Sequence, residues 1–336
     1  MKRVKFVGYR DRSFYRQKSI APCANEMLAL DLSQQDIALA RTEAEAVCGT
    51  KGELVGHWLL VSSSRRDLCE ILAYTKRVGR LGFVGRLPST PTIKKLIKGP
   101  FAFSFEGVDS DAKKSLLAMV PHLGHHVDLE KPTTRLLFVG AQGKLICVVD
   151  AIDNKQTFEK RKSHLMPAPH PSGMHPRLAR AMVNLTGISK GVLLDPFCGS
   201  GGILIEAGLR GLKPTGVDIS TAMLERAKKN LDHFGVHAKL VHQDALKIGK
   251  KYAYIATDLP YGKGAHAPKG IIEDFLVHLP TILGKRAVIG LPVWDGKDPL
   301  PEVKRILTQK KLRVVDEFTY YLHQSLSKKI VIVERR

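Results

Sequence analysis

The sequence predicts an α/β protein in which a doubly wound parallel sheet of the Rossmann type follows two smaller α+β units. From about residue 176 onward, short apolar strand patterns alternate with amphipathic helix patterns, which is typical of such a sheet. Strand and helix patterns also alternate before that point, in two shorter groups that a Pro-rich stretch at 88–91 separates. The 336 residues are enough for two or three domains, each with its own core.

Residues 26–89 are predicted to form a small ferredoxin-like domain, because a βαβαβ order of this size is typical of that fold. Ser33 and Asp36 resemble a capping box at the start of the first helix, and Gly52 is expected to end it. The other elements expected here are strands at Met27–Leu32, Leu54–Val61 and Leu81–Arg86 and a helix at Arg65–Thr75.

Residues 90–151 form the second predicted unit, and residues 152–175, which are polar, basic and Pro-rich, are interpreted as a linker. Residues 1–25 are interpreted as a basic N-terminal extension. The elements expected in the second unit are helices at Thr92–Lys98 and Lys113–Leu123 and strands at Phe101–Phe105, Arg135–Val139 and Leu145–Val149.

Residues 176–336 carry seven strand patterns, with helix patterns between most of the first six. Only a short turn separates the last two strands, which predicts a closing β-hairpin. The expected strands are Val192–Asp195, Pro214–Asp218, Ala238–His242, Tyr254–Asp258, Ala287–Leu291, Arg313–Leu322 and Lys329–Val333. The expected helices are Ile203–Arg210, Ala222–Phe234, Ile271–Leu283 and Glu302–Lys311.

The charge predicts a polyanionic partner, most simply a nucleic acid. The formal charge is +21, with +10 on residues 1–170 and +11 on residues 171–336, so that both halves are basic. No apolar run approaches the length of a membrane span, and the basic N-terminus lacks the apolar region of a secretory signal. We therefore expect no association with a membrane.

The cysteines predict a reducing, cytoplasmic location. They are odd in number, scattered and without a CxxC pair, which argues against a disulfide framework and against a zinc site. They are Cys23, Cys48, Cys69, Cys147 and Cys198. The histidines at 122, 125 and 126 are interpreted as surface residues, and no metal site is expected.

A Gly-rich turn follows the first strand of the C-terminal half, in the segment LDPFCGSGG at 194–202. Gly199 and Gly201 would let backbone N–H groups approach a ligand at a helix N-terminus. Asp218 lies 23 positions after Asp195, where a carboxylate typically binds a ribose hydroxyl, and Asp244 follows the third strand. The spacing fits neither GxxxxGK[ST] nor GxGxxG, so the pattern favours another nucleotide-like cofactor.

A second motif, TDLPYG at 257–262, ends the fourth strand. Asp258 and the carbonyl group of Leu259, fixed by Pro260, could accept hydrogen bonds from a planar exocyclic amine, while Tyr261 stacks on its ring. Such an amine is a poor nucleophile, and an acceptor for its protons raises the electron density on nitrogen. The motif alone does not distinguish guanine N2 from adenine N6.

These motifs resemble those of S-adenosylmethionine (SAM)-dependent amino-methyltransferases, in DPFCGSGG, GVD, QDA and DLPYG. Residues 171–185 resemble the element that such enzymes place near the methionine part of SAM. The segment VDLEKP at 127–132 resembles the signature of a THUMP domain, an RNA-binding module, which would span 90–151. The combination is similar to the archaeal and eukaryotic tRNA (guanine-10, N2) methyltransferases over about residues 26–336.

The resemblance implies SAM as cofactor, tRNA as substrate and formation of N2-methylguanosine or N2,N2-dimethylguanosine at position 10. It implies Asp258, Pro260 and Tyr261 as the residues that hold the guanine. It also implies a small zinc-binding activator protein as a partner. The residues that would border SAM are His175, Asp195, Phe197, Gly199, Gly201, Asp218, Ile219, Asp244 and Ala245.

This sequence departs from the family at one position, because Leu259 replaces the first proline of the usual DPPY. We expect activity to survive, since Pro260 still fixes the carbonyl group. Transfer would be direct and in line, after the base leaves its stack, and residues 262–270 are a candidate lid. The alternatives are methylation of another tRNA guanine or of adenine N6, and a non-enzymatic RNA-binding protein.

Overall fold

The computed structural model describes residues 26–171, 173–260, 270–294, 296–323 and 326–336. The basic N-terminal extension, Tyr261 and most of the candidate lid lie outside the described residues. Two sheets of seven strands each organise the described chain. No helix in these ranges is long and apolar enough to cross a bilayer.

The first sheet spans both predicted N-terminal units. Its strand order is β2-β3-β1-β4-β7-β6-β5, with all neighbours antiparallel except β5 and β6. The strands are β1 Glu26–Leu32, β2 Glu53–Val55, β3 Trp58–Ser63, β4 Thr75–Gly85, β5 Phe101–Glu106, β6 Thr134–Ala141 and β7 Lys144–Asp153. The helices are α1 Ile37–Cys48, α2 Leu68–Ile71, α3 Thr90–Lys94 and α4 Ser110–Ala118. Because β4 pairs with β7, the predicted boundary at 89/90 divides one continuous sheet.

Several predicted element boundaries in this region are wrong. Asp36 alone is the N-cap of α1, and its Oδ1 accepts from Leu39 N at 2.9 Å, whereas Ser33 N donates to the carbonyl of Tyr74. Gly49, not Gly52, ends the helix, in the left-handed conformation with φ 74°. The predicted strand Leu54–Val61 is split by a turn into β2 and β3, and the predicted helix Arg65–Thr75 is reduced to α2.

The second sheet has the order β10-β9-β8-β11-β12-β14-β13. The predicted hairpin of the last two strands is confirmed, and β14 runs antiparallel to both neighbours, so the sheet is parallel except for β14. The strands are β8 Val192–Asp195, β9 Lys213–Asp218, β10 Lys239–His242, β11 Tyr252–Asp258, β12 Leu283–Trp294, β13 Leu312–His323 and β14 Leu326–Arg335. The helices are α5 Pro176–Leu185, α6 Gly202–Leu209, α7 Thr221–His233, α8 Ile271–Ile282 and α9 Leu300–Gln309.

One apolar core joins the two sheets. It runs from Leu30 and Leu59 in the first sheet, through Leu178 on α5, to Ile332 in the second sheet. Residues 152–175 were interpreted from sequence as a linker, but β7 continues to Asp153. The rest of this segment contains two short 3-10 helices and buries Phe158 and Arg161 against the C-terminal half. The N-terminal half is therefore packed directly on the sheet that carries the candidate site.

Candidate active site

Four carboxylates lie along one edge of the second sheet. Asp195, Asp218 and Asp258 are the last residues of β8, β9 and β11, and Asp244 begins a 3-10 turn just after β10. The four strands are adjacent in the order β10-β9-β8-β11, and all run parallel. The carboxyl ends of parallel strands are where doubly wound proteins bind ligands.

The Gly-rich turn between β8 and α6 is open above Gly199. Gly199 and Gly201 have φ angles of 49° and 90°, in the left-handed region that favours glycine. A Cβ atom at Gly199 would meet no atom within 4 Å, whereas one at Gly201 would lie 3.3 Å from the Cβ of Ala227. The backbone can therefore approach a ligand at residue 199, as the first turn of α6 begins.

The carboxylates beside this turn are oriented by backbone N–H groups. Asp218 Oδ2 accepts from Gly199 N and Oδ1 accepts from Ser220 N, both at 2.9 Å, and Asp244 Oδ1 accepts from Leu246 N at 2.9 Å. The side chain of Ile219 is 71% exposed at the same edge. Fixed carboxylates next to an exposed apolar side chain suit ribose hydroxyls and a flat base, so these residues fit a nucleoside cofactor. The predicted Ala245, by contrast, is buried in the core under the edge.

Asp195 lies beneath the site rather than on its surface. Its Oδ1 accepts from Thr257 Oγ1 at 2.8 Å and from Phe197 N at 3.2 Å, and the ring of Phe197 packs edge-on against Phe275. Burial, with a smaller contribution from the carboxylates of Asp258 and Asp218, raises the pKa of Asp195 to about 7. Near neutral pH this carboxyl group is therefore poised between its two protonation states.

The segment before α5 forms one wall of a cavity at the start of α6. Gly173, Met174 and Pro176 line this cavity together with Ser200 and Gly202. The predicted His175 lies between two of the lining residues but is directed elsewhere.

The ring of His175 caps α5. Nδ1 accepts from Arg177 N at 3.2 Å, and Nε2 lies 3.2 Å from Glu159 Oε1. Burial lowers the pKa of His175, against the opposing influence of Glu159. The neutral, Nδ1-accepting ring is the form that this cap requires.

Asp258 is paired with a lysine that the sequence analysis did not single out. The ammonium group of Lys328 on β14 donates to Asp258 Oδ2. The Lys328 side chain is 1% exposed and that of Asp258 is 16% exposed. Pro260 follows in the described chain, whereas Tyr261 and residues 262–269 of the candidate lid lie outside the described residues.

Leu259 fits both the apolar core around its side chain and the strand pairing of its backbone. Its side chain is fully buried in the core that contains Phe275 and Leu291, and its N–H donates to the carbonyl of Gly290 at 3.0 Å. A proline has no N–H to donate, so leucine here extends the β11–β12 ladder by one hydrogen bond.

Three other features of the described chain, a cysteine in the Gly-rich turn, the possible metal ligands and the segment 127–132, lie outside the site chemistry. Burial raises the pKa of the Cys198 thiol far above its usual value, which disfavours the reactive thiolate. Within the described ranges no group of three His, Cys, Asp or Glu side chains could hold a metal ion. The segment 127–132 forms an exposed turn in which Asp128 Oδ1 accepts from Glu130 N and Lys131 N.

Sequence reasoning missed Thr257, Gly290 and Lys328. A signal for Lys328 was present, because it falls on the same face of β14 as Ile330 and Ile332, two residues apart each time. A charged residue directly followed in such a row by two apolar residues indicates a buried partner. Gly290 and Thr257 carry no such signal, since their roles depend on which strands are neighbours.

The fold and the site define a SAM-dependent methyltransferase. A family model described as the RMKL-like methyltransferase domain matches residues 164–279, which include the Gly-rich turn and the edge carboxylates. A tRNA (guanine(10)-N2)-dimethyltransferase from Pyrococcus abyssi is 36% identical over 259 residues, which cover 72% of this chain and 76% of that protein. The chain belongs to the tRNA (guanine(10)-N2)-dimethyltransferase family.

Two further proteins are similar. The protein of the same name from Methanothermobacter thermautotrophicus is 34% identical over 221 residues, and the match spans 63% of this chain and 64% of that protein's length. Among solved structures, TrmN from Thermus thermophilus has a TM-score of 0.48 at 16% identity, over 92% of this chain and all of that one.

Proposed function

We propose that this protein transfers methyl groups from SAM to the exocyclic N2 of guanine at position 10 of tRNA, to form N2-methylguanosine, N2,N2-dimethylguanosine or both. The observation that carries the proposal is the position of Asp258, which ends β11 on the same edge as the nucleoside-binding features of β8 and β9. The names of the two archaeal relatives support guanine-10 of tRNA as the target.

On the cofactor side, Gly199 and Gly201 would present backbone to SAM, Asp218 would bind its ribose and Asp244 its adenine amine. Ile219 and Phe197 would border the adenine, with Ala245 packed beneath them. Asp195 would support the methionine side from beneath the site, and His175 would do so indirectly, by capping the helix α5. The fixed hydrogen bonds of Asp218 and Asp244 favour these roles, because an oriented carboxylate loses little entropy on binding.

On the substrate side, Asp258 and the Leu259 carbonyl would accept the two N–H groups of the guanine amine, and Tyr261 would stack on the base. Bound SAM supplies an electrophilic methyl group and takes up the bonding electron pair when that group leaves. Asp258 keeps the nitrogen aligned, and its carboxylate receives the proton that the nitrogen loses.

The basic N-terminal half would hold the tRNA. We propose that 90–151 is a THUMP domain, that 26–89 is ferredoxin-like, and that the two act as one body on their shared sheet. Base 10 must leave its stack to reach Asp258, at a cost of a few kcal/mol that phosphate contacts would offset. We also propose a cytoplasmic location, and pairing with a small zinc-binding activator remains a prediction.

The test is incubation of the full chain with unmodified tRNA transcripts and methyl-labelled SAM, followed by nucleoside analysis and mapping of the modified position. We expect N2-methylated guanosine at position 10 and its loss in Asp258→Ala. Asp232→Ala, at an exposed position on α7, is the matched control and should behave like the wild type. Methylation at another guanine or at adenine N6 would establish the alternative enzyme. No methyl incorporation with or without an activator would favour the non-enzymatic RNA-binding protein.

A further inference from the structure

Lys328 reaches Asp258 across an intervening strand. In the order β11-β12-β14, Asp258 pairs with Gly290, and Lys328 pairs with Pro292 of the same β12 strand. Neighbouring strands are about 4.8 Å apart, so the side chain must span roughly two such spacings. It can do so only if the residue of β12 in its path has little bulk.

Gly290 provides that path. A Cβ atom at Gly290 would lie 2.5 Å from Asp258 Oδ1, a separation at which something must move. Asp258, Gly290 and Lys328 share one face of the sheet with Ala256, Val288 and Ile330, which belong to the core between the two sheets. Oδ1 of the Asp258 carboxylate thus lies against Gly290, while Oδ2 accepts from the Lys328 ammonium group.

The stability of the fold does not explain a lysine at this buried position. The next two residues of this row on β14, Ile330 and Ile332, are apolar and 0% and 2% exposed. A buried ion pair rarely stabilises a protein more than apolar residues of the same volume would, because both charges lose hydration. The pair instead fixes the direction of the Asp258 carboxylate, which is the property that an acceptor for an amine proton needs.

We infer that Lys328 is a positioning residue for the methyl-transfer reaction, which acts by holding the Asp258 carboxylate in one orientation towards the target nitrogen. This inference deepens the proposed function and rests on it. It concerns the residue through which Asp258 works, and it assigns to Lys328 no contact with substrate or cofactor.

The experiment is a double-mutant cycle with Lys328→Met and Asp258→Asn, measured as single-turnover methyl transfer to tRNA per SAM-binding site. Counting only sites that bind SAM removes the effect of misfolded protein. We expect Lys328→Met to lower the rate about 10- to 100-fold, with little change in the affinities for SAM and tRNA. The double variant should be no slower than Asp258→Asn alone, because both changes act through one carboxylate.

Lys329→Met is the matched control. Lys329 is the next residue on β14, points to the opposite face and pairs with Asp298 at 3.2 Å, with a side chain 12% exposed. It should retain the wild-type rate. Lys328→Arg keeps the charge, and partial recovery of the rate relative to Lys328→Met is expected.

A wild-type rate for Lys328→Met, or losses that multiply in the double variant, would overturn the inference. If Lys328→Met binds no SAM, the rate of Lys328→Arg is the test. A Lys328→Arg rate as low as that of Asp258→Asn, despite the retained charge, would contradict the inference. A wild-type enzyme that methylates no tRNA guanine would contradict the proposed function itself, which is a different result.

Discussion

Asn184 on α5 donates a hydrogen bond of 2.5 Å to Glu43 on α1, and so links the two halves of the molecule across 141 positions of sequence. Glu43 is fully buried, and its two oxygens also accept from Ala73 N and Tyr74 N. Burial raises the pKa of Glu43 in spite of these donors. One side chain thus accepts from two backbone N–H groups of the loop between α2 and β4 and from one side-chain amide of the catalytic half.

Replacing Glu43 should therefore destabilise the whole chain. Glu43→Ala leaves three buried donors without their acceptor, and we expect the free energy of unfolding to fall by about 3–5 kcal/mol. Urea unfolding followed by circular dichroism measures this loss. Glu53→Ala, whose side chain is 59% exposed, is the control and should change the same quantity by less than about 0.5 kcal/mol. Equal effects of the two substitutions would show that the buried network does not matter.

The buried carboxyl of Asp195 predicts a pH-dependent stability. Its pKa is higher in the folded protein, at about 7, than the usual 3.8, so the folded state binds this proton more tightly. The stability that the folded state gains by binding this proton is fully present below about pH 4 and is lost as the pH rises through 7. Asp195→Asn should therefore gain stability relative to the wild type between pH 5 and pH 8, by at most about 4 kcal/mol.

The measurement for Asp195 is urea unfolding of both proteins at several pH values without SAM. The exposed Asp232→Asn should show no such trend relative to the wild type. A difference between Asp195→Asn and the wild type that stays constant from pH 5 to pH 8 would contradict the raised pKa.

Substitution of Gly201 should weaken cofactor binding as well as stability, whereas the same change at a left-handed glycine away from the site should lower stability alone. Gly201→Ala and Gly211→Ala both place a side chain on a left-handed residue, with φ 90° and 84°, and each should cost about 1–2 kcal/mol of stability. Only Gly201 lies in the turn at the edge carboxylates. Isothermal titration with SAM should show about tenfold weaker binding or worse for Gly201→Ala and little change for Gly211→Ala. Equal affinities would remove the turn from the cofactor site.

Gly290 predicts a catalytic defect without a binding defect. In Gly290→Ala the new Cβ displaces the Asp258 carboxylate, and we expect kcat to fall about 100-fold while the affinity for SAM is kept. Gly249→Ala, where a Cβ would meet no atom within 4 Å, is the control and should keep the wild-type kcat. Steady-state methylation of tRNA gives both values, and a normal kcat in Gly290→Ala would mean that Asp258 tolerates displacement.

The sequence was sufficient to predict the features that depend only on residues close together along the chain. The strand ends at Asp195, Asp218 and Asp258 were predicted to the residue, because each short strand pattern stops at a carboxylate. Helix limits were less certain, since Ser33 and Asp36 have the same capping chemistry and only the structure shows which side chain meets Leu39 N.

The features of the site and fold that depend on strand order could not be predicted from the sequence. Gly290 and Lys328 lie 32 and 70 positions after Asp258, and nothing in their neighbours along the chain connects them with it. The single N-terminal sheet was missed for the same reason, because the β4–β7 pairing joins groups that Pro88 and Pro91 separate in sequence.

The core that passes from Leu30 to Ile332 has a consequence for anyone who dissects this protein. Cutting the chain between residues 152 and 175 would separate α1 from α5 and expose an apolar surface on each fragment. We expect the two pieces to precipitate when expressed alone and to recover solubility when produced together, so that studies of the N-terminal half should begin from the intact polypeptide.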